Sequence, residues 1–322
     1  MDIYKSTFDL LFDLFPAQEW PDARAILERA QPKKPRDWRL PVLACEAVGG
    51  SCIKAVPAAA AIGCMQISII LVDDLLDNDP RGEYHCIGAP ATANLAIAFQ
   101  AAGMDAIAQS DVGAVTKLAA FHSLNQMMLT TAYGQYLDTQ NTEDEAAYWN
   151  LVRTKSSPFF GSALHIGALL GGASADVATQ IKQFGHLYGE MIQIHDDLND
   201  TMDVPANPDW TLGRLPLPIL FAQIVDHPGK ARFIELREVI TNPDALTEAQ
   251  EILVRCGAVS YCIDQLVRRY QSAIDILSTL PLITPDLFEG LLDDVIIPVM
   301  NLFSAIGVDE PEALLQTHSL VV

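Results

Sequence analysis

Basic residues are scarce in this chain: 20 lysines and arginines stand against 41 aspartates and glutamates, a formal charge of −21. Such a field repels phosphate backbones and anionic lipid surfaces at long range, which argues against a nucleic-acid partner. A small anionic substrate stays admissible, because bound divalent cations and local basic groups reverse the sign of the field inside a cleft. Alternating β-branched runs closed by Asn-Gly or Asp-Gly turns are absent, as is any tandem repeat, so the class is all-α and a solenoid is excluded. The six cysteines (Cys45, Cys52, Cys64, Cys86, Cys256, Cys262) make no CxxC pair and no cluster with histidine at zinc spacing, and are expected to be reduced, mostly core residues. The opening MDIYKSTFDLLFDLF carries acids and helical periodicity instead of a targeting pattern, which gives a cytoplasmic expectation. No stretch has the composition of a linker, so one domain over residues 1–322 is the expected organisation.

What the chain does have is apolar mass, half of its residues, spaced at i, i+3, i+4 in block after block. Breaks rich in Pro, Gly, Asn and Asp fall near 31–41, 78–90, 140–146, 203–213, 226–230 and 241–245, with helical blocks between them. From Ala55 to Val72 no charge occurs for 18 residues, the lower limit for a membrane span. Pro57, Gly63, Gln66 and Ser68 dilute that stretch, and it runs into Asp73 and Asp74 without Lys, Arg or Trp anchors. A buried central helix is expected there and no membrane span.

Two acidic motifs close apolar helices: DDLLD at Asp73–Asp77 and DDLND at Asp196–Asp200. Pro80 and Gly82 end the first helix, Pro205 and Pro208 the second, so both clusters lie at helix C-termini. Carboxylates there oppose the helix dipole by roughly 0.3–1 kcal/mol each when exposed, so stability alone does not choose the placement. Asp73 and Asp77 are one helical turn apart on one face, with Asp74 about 100° round; Asp196 and Asp200 repeat the spacing, with Asp197 in the place of Asp74. Such pairs suit a hard, oxygen-seeking ion such as Mg²⁺, which fills its remaining positions with water and phosphate oxygens. A diphosphate held between two such helices is the expected use of the pattern. Acids at helix ends are ordinarily solvated surface; here each cluster emerges from a strongly apolar helix, AIGCMQISIILV or HLYGEMIQI.

With these motifs the chain resembles the trans-isoprenyl diphosphate synthases, the farnesyl and geranylgeranyl diphosphate synthase family, from about residue 30 to about residue 275. The resemblance implies a helical bundle around a central cavity and a homodimer. It also implies three Mg²⁺ ions with Asp73, Asp74, Asp77, Asp196, Asp197 and Asp200 as the metal-binding set. In RDWRLPVLACEAVGG, Arg36 and Arg39 resemble the family's basic pair for isopentenyl diphosphate, and Gln66 stands where the family usually has a histidine for the same group. GQYLD at Gly134–Asp138 and RTKSS at Arg153–Ser157 are similar to further family motifs. They make Lys155 and Ser156 candidates for the allylic diphosphate and the nascent cation, and Gln193, three residues before Asp196, matches the family's glutamine.

The chain departs from the family pattern at several points. Arg81 stands alone where relatives carry two arginines, and GRLPLP puts Arg214 in the place of a lysine and Pro216 in the place of a threonine. Arg for Lys keeps the charge but replaces a point donor by a fork. Arg81 and Arg214 are still expected to bind substrate. The implied reaction joins an allylic diphosphate to isopentenyl diphosphate. Residues one and two turns before Asp73, namely Ile69, Ser68, Met65 and Cys64, are expected to line the cavity that sets product length. Ser68 is small and Met65 adaptable, which favours a geranylgeranyl-length product over a shorter one. Two rivals are a class I terpene cyclase, whose second metal motif would differ from DDLND, and a non-catalytic subunit, which would lack one or both motifs.

Overall fold

The computed structural model describes residues 2–15, 20–140 and 144–305. Its helices, in chain order, are α1 (Ile3–Leu14), α2 (Pro21–Ala30), α3 (Leu40–Ala47), α4 (Val56–Asp77), α5 (Tyr84–Ile87), α6 (Ala89–Ala108), α7 (Ala114–Asp138) and α8 (Glu145–Lys155). They continue as α9 (Ser157–Gly171), α10 (Ala175–Met202), α11 (Pro208–Thr211), α12 (Leu217–Ile224), α13 (Lys230–Arg237), α14 (Pro243–Arg255), α15 (Ala258–Thr279) and α16 (Asp286–Ala305). No strand occurs among the described residues, so the all-α expectation holds.

The chain gathers into two compact units, each assembled from separated stretches. Among the described residues, the first comprises 2–15, 20–130, 158–185 and 279–288, the second 131–140, 144–157, 186–278 and 289–305. Helices α7, α10 and α16 each contribute residues to both.

In the first unit α4 is the central element. Pro57 lies in its first turn, where a missing N–H costs no hydrogen bond, and a run of alanines follows that lets neighbours approach closely. Ala58 through Met65 are buried. By length and composition the segment Cys52–Asp77 could cross a membrane, but 72% of its apolar window is covered by the protein itself. This is the buried helix expected from the sequence. It ends at Asn78, whose left-handed φ of 53° and N–H bond to the Asp74 carbonyl close the last turn. Aromatic contacts tie other elements in: Phe8 to Trp38 at 5.1 Å, Phe15 to Phe99 at 4.7 Å and Phe184 to Phe288 at 4.9 Å between ring centroids.

The core of the second unit is built on Trp210, Ile219, Phe233, Leu246 and Leu253. Trp210 is 2% exposed, and its indole N–H donates to the Thr201 carbonyl at 3.1 Å, so the large apolar ring is buried without an orphaned donor. Asp144 caps α8 by accepting from the Ala147 N–H, while Arg153 and Lys155 occupy its last turn, each charge matching the end of the helix dipole it faces.

Candidate active-site residues

In the first unit, the last turn of α4 carries Asp73 and Asp77 with one carboxylate oxygen of each within 4.8 Å of the other. Both are half-buried, as is Asp74. Burial, with Asp79 and Asp73 nearby, pushes the Asp74 carboxyl above its usual range. This is the hard-oxygen pair that the spacing predicts.

Arg81 turns back on its own loop. Its guanidinium donates to Asp79 at 3.1 and 2.7 Å, and its side chain is 86% exposed. The same pair, with the Arg81 backbone N–H, holds the Asp79 carboxyl down at about 2. The substrate role expected of Arg81 therefore requires it to exchange Asp79 for a phosphate. The signal for Asp79 in the sequence is the DPR turn, which sets it two residues from Arg81.

Gln66 is engaged at both ends of its amide. Its oxygen accepts from the Trp38 indole at 2.7 Å, and its NH₂ donates to Asp37 at 2.9 Å. Burial raises the Asp37 carboxyl, against the pull of the Gln66 bond and of Arg36. Gln66 is thus brought to the segment that carries the exposed Arg36 and Arg39, with one amide N–H unspent by these two bonds.

Of the four expected length-setting residues, Cys64 and Met65 are fully buried, Ser68 is 3% exposed, and Ile69 is half-buried. Cys64 and Met65 face α6: a Cβ built on Gly103 would meet Met65 Cε at 3.0 Å and Cys64 Cβ at 3.2 Å. The opposing glycine has no periodic signature and was not anticipated.

In the second unit a close helix contact organises the site. A Cβ at Gly134 would fall 2.4 Å from the Lys155 backbone nitrogen and 2.6 Å from its Cα, so only glycine allows α7 and the end of α8 to touch here. The contact brings Lys155 Nζ into an ion pair with Asp138, the last residue of GQYLD. One residue on, the Ser156 hydroxyl donates to the Gln193 carbonyl oxygen at 2.7 Å. Gln193 Nε2 in turn donates to Asp197 at 2.8 Å, one turn along α10. Ser156 and Gln193 are thus hydrogen-bonded, next along the chain to Lys155 and its ion pair.

The three aspartates of the second motif differ. Asp196 is exposed and Asp200 half-buried, its carboxyl raised by burial and by Asp209 and Asp203. Asp197 is 5% exposed, and both its oxygens are taken. Oδ2 accepts from the Tyr148 hydroxyl at 2.6 Å and from the Leu217 N–H at 2.7 Å, and Oδ1 accepts from Gln193. Desolvation pushes its carboxyl up to about 6, less far than burial alone would, because these three donors favour the anion. Three protein donors thus already occupy this carboxylate, and a cation at Asp197 would have to share it with them. Tyr148, 49 residues away in sequence, gave no signal of the pairing.

Arg214 pairs with Asp209 at 3.4 Å, and its carbonyl accepts from Arg237. Burial raises the Asp209 carboxyl while Arg214 draws it down. Asp209 lies in the short helix α11 and Arg214 in the turn between α11 and α12.

Sequence and structure comparisons bear on this arrangement. The family model described as polyprenyl synthetase matches residues 31–253. The chain is 31% identical to the geranylgeranyl diphosphate synthase of Methanosarcina mazei over 183 residues, which are 54% of this chain and only 55% of that protein. It is 27% identical to the geranylfarnesyl diphosphate synthase of Aeropyrum pernix over 264 residues, 76% of this chain and 82% of the other. The fold is similar to that of the geranylgeranyl pyrophosphate synthetase from Pyrococcus horikoshii, with a TM-score of 0.79 at 20% identity, covering 91% of this chain and 95% of that one.

Proposed function

Because the chain belongs to the polyprenyl synthetase family, we propose that it joins an allylic diphosphate to isopentenyl diphosphate to give a short-chain trans-isoprenyl diphosphate of geranylgeranyl length. The observation that carries this reading is the Asp73–Asp77 pair, whose oxygens within 4.8 Å at the end of a buried helix suit a hard cation and a diphosphate.

Asp73, Asp77 and Asp196 would hold Mg²⁺, with three ions in all and Asp74 and Asp200 in support; an all-carboxylate donor set fits this ion. When bound, Mg²⁺ neutralises charge on the diphosphate as the allylic C–O bond breaks. Lys155 and Arg214 bind diphosphate oxygens, each leaving the aspartate it now pairs with, Asp138 or Asp209. Ser156 and Gln193 present oxygen dipoles to the allylic cation. Arg36, Arg39 and Gln66 hold isopentenyl diphosphate so that its double bond forms the new C–C bond, and the proton then lost goes to the released pyrophosphate. Arg81 assists on the allylic side once freed from Asp79. Apolar walls that include Cys64, Met65, Ser68 and Ile69 exclude water and limit chain growth.

A cytoplasmic homodimer completes the reading. Along α7, Val115 and Leu118 near its start and Leu129, Tyr133 and Tyr136 near its end are 53–85% exposed, apolar surface suited to a second copy.

Incubating the purified protein with isopentenyl diphosphate and each short allylic primer, with Mg²⁺ or with chelator, tests the proposal. Chain-extended products with Mg²⁺ alone are expected. Cyclic hydrocarbon from one allylic diphosphate without isopentenyl diphosphate would instead mean a cyclase, and no product from the chain alone would point to a non-catalytic subunit.

A further inference from the structure

We infer that Asp197 is a positioning residue that orients the Gln193 amide and, through it, the Ser156 hydroxyl, and that it does so as a buried junction between α8, α10 and the start of α12. The inference rests on the prenyl-transfer reading for its consequence, while its geometry stands apart from it.

A carboxylate has no proton to give, so Asp197 accepts from every neighbour. Facing it, Gln193 must turn its NH₂ inward and its carbonyl outward. The outward carbonyl then fixes the proton of Ser156 Oγ, which donates to it at 2.7 Å. The hydroxyl lone pairs are thereby left for whatever lies beside Lys155. An uncharged acceptor and donor such as asparagine would satisfy Gln193 in either orientation, and the direction of both dipoles would be lost.

Two further bonds make the junction rigid. Tyr148, 4% exposed, donates its hydroxyl from α8, the helix that ends at Lys155. The Leu217 N–H donates from the first turn of α12, three residues after Arg214. One carboxylate thus fixes the places where Ser156, Gln193 and the Arg214 loop are anchored.

The test is a double-mutant cycle on the full chain. Asp197→Asn is expected to lower kcat about 100-fold, the scale of a small misplacement of reacting groups, with KM for both diphosphates within threefold. The Mg²⁺ concentration for half-activation, and the binding of Mg²⁺ with inorganic pyrophosphate measured by titration calorimetry, should also stay within threefold. In a Gln193→Ala background the same substitution should cost less than about threefold, because its route to the reaction is already cut. Tyr148→Phe removes one hydroxyl only, and supplies the same comparison should Asp197→Asn fold poorly; its cost should likewise shrink in the Gln193→Ala background. A tenfold or greater weakening of Mg²⁺–pyrophosphate binding in Asp197→Asn would make it a metal ligand and overturn the inference. So would costs that multiply independently of Gln193. A wild-type chain without turnover would instead refute the prenyl-transfer reading, whereas an active wild type with independent costs refutes this inference alone.

Discussion

The motifs DDLLD and DDLND share their spacing, yet the structure gives them different environments. At the end of α4, Asp73, Asp74 and Asp77 are all half-buried and all within reach of solvent. Near the end of α10, Asp196 is exposed, Asp200 is half-buried, and Asp197 is enclosed by donors from three elements. Letter patterns specify which face a carboxylate points to, not what packs over that face. The middle position of the first motif meets a loop, Asp79 to Gly82, while that of the second meets Tyr148 and α12.

Substitutions that treat the two motifs alike should show where they diverge. The largest effect is expected from Asp73→Ala and Asp196→Ala. Each should lower turnover by at least about a thousandfold through loss of a metal ligand, with circular dichroism unchanged. Turnover within tenfold of wild type in either would remove that residue from the metal site.

The middle positions should differ in stability. Asp197→Ala strands the Tyr148 hydroxyl and the Leu217 N–H and should cost roughly 2–4 kcal/mol in denaturant unfolding, less whatever is regained by removing a buried charge. Asp74→Ala should stay within about 0.5 kcal/mol, as at other half-exposed sites. Equal losses would dissolve the contrast between the motifs.

Much of this was legible in the sequence. The breaks near 78–90, 203–213 and 226–230 coincide with the ends of α4, α10 and α12, because Pro, Gly and Asn act locally on the backbone. Lys155, Ser156 and Gln193 were readable as candidates only through family resemblance. The partners that hold them were not: Asp138 lies 17 residues from Lys155 and Tyr148 lies 49 from Asp197, and no periodicity links such pairs. Trp38 and Asp37 escaped notice as partners of Gln66 for the same reason. The two compact units left no trace either. A linker marks a boundary crossed once, whereas here the chain passes between units inside helices such as α7 and α10.

The α4 helix offers a subtler comparison between its length-setting face and its metal-binding end. Ser68→Phe should shorten the product and Met65→Ala lengthen it, read by chromatography after dephosphorylation, with Mg²⁺ dependence unaffected. An unshifted product distribution in both would place the limit elsewhere, with Gly103 opposite Met65 the next position to probe.

Arg81→Ala tests whether the first motif's loop yields a cation to substrate. On exchange of Asp79 for phosphate, substrate affinity should fall more than about threefold, within the range of a charge-assisted hydrogen bond that must first be given up elsewhere. A smaller change would assign Arg81 to its present pair with Asp79.

The smallest effect concerns pH. The folded chain holds the Asp197 proton more tightly than an unfolded one, about 6 against an ordinary value of 3.8. Its contribution to stability is therefore present below about pH 4 and lost as pH rises to about 6. Asp197→Asn should flatten this part of the metal-free stability profile more than Asp74→Asn does. Identical profiles for wild type and Asp197→Asn would show that burial leaves its titration unchanged.

The contact at Gly134 has a consequence for how this protein can vary. Every codon one nucleotide away from a glycine codon that still encodes an amino acid other than glycine supplies a Cβ, and a Cβ here runs into the Lys155 backbone. No single step leads to a gentler neighbour, and the obstruction is main chain, which cannot be repacked by a compensating side chain. Inheritance is therefore expected to hold position 134 fixed.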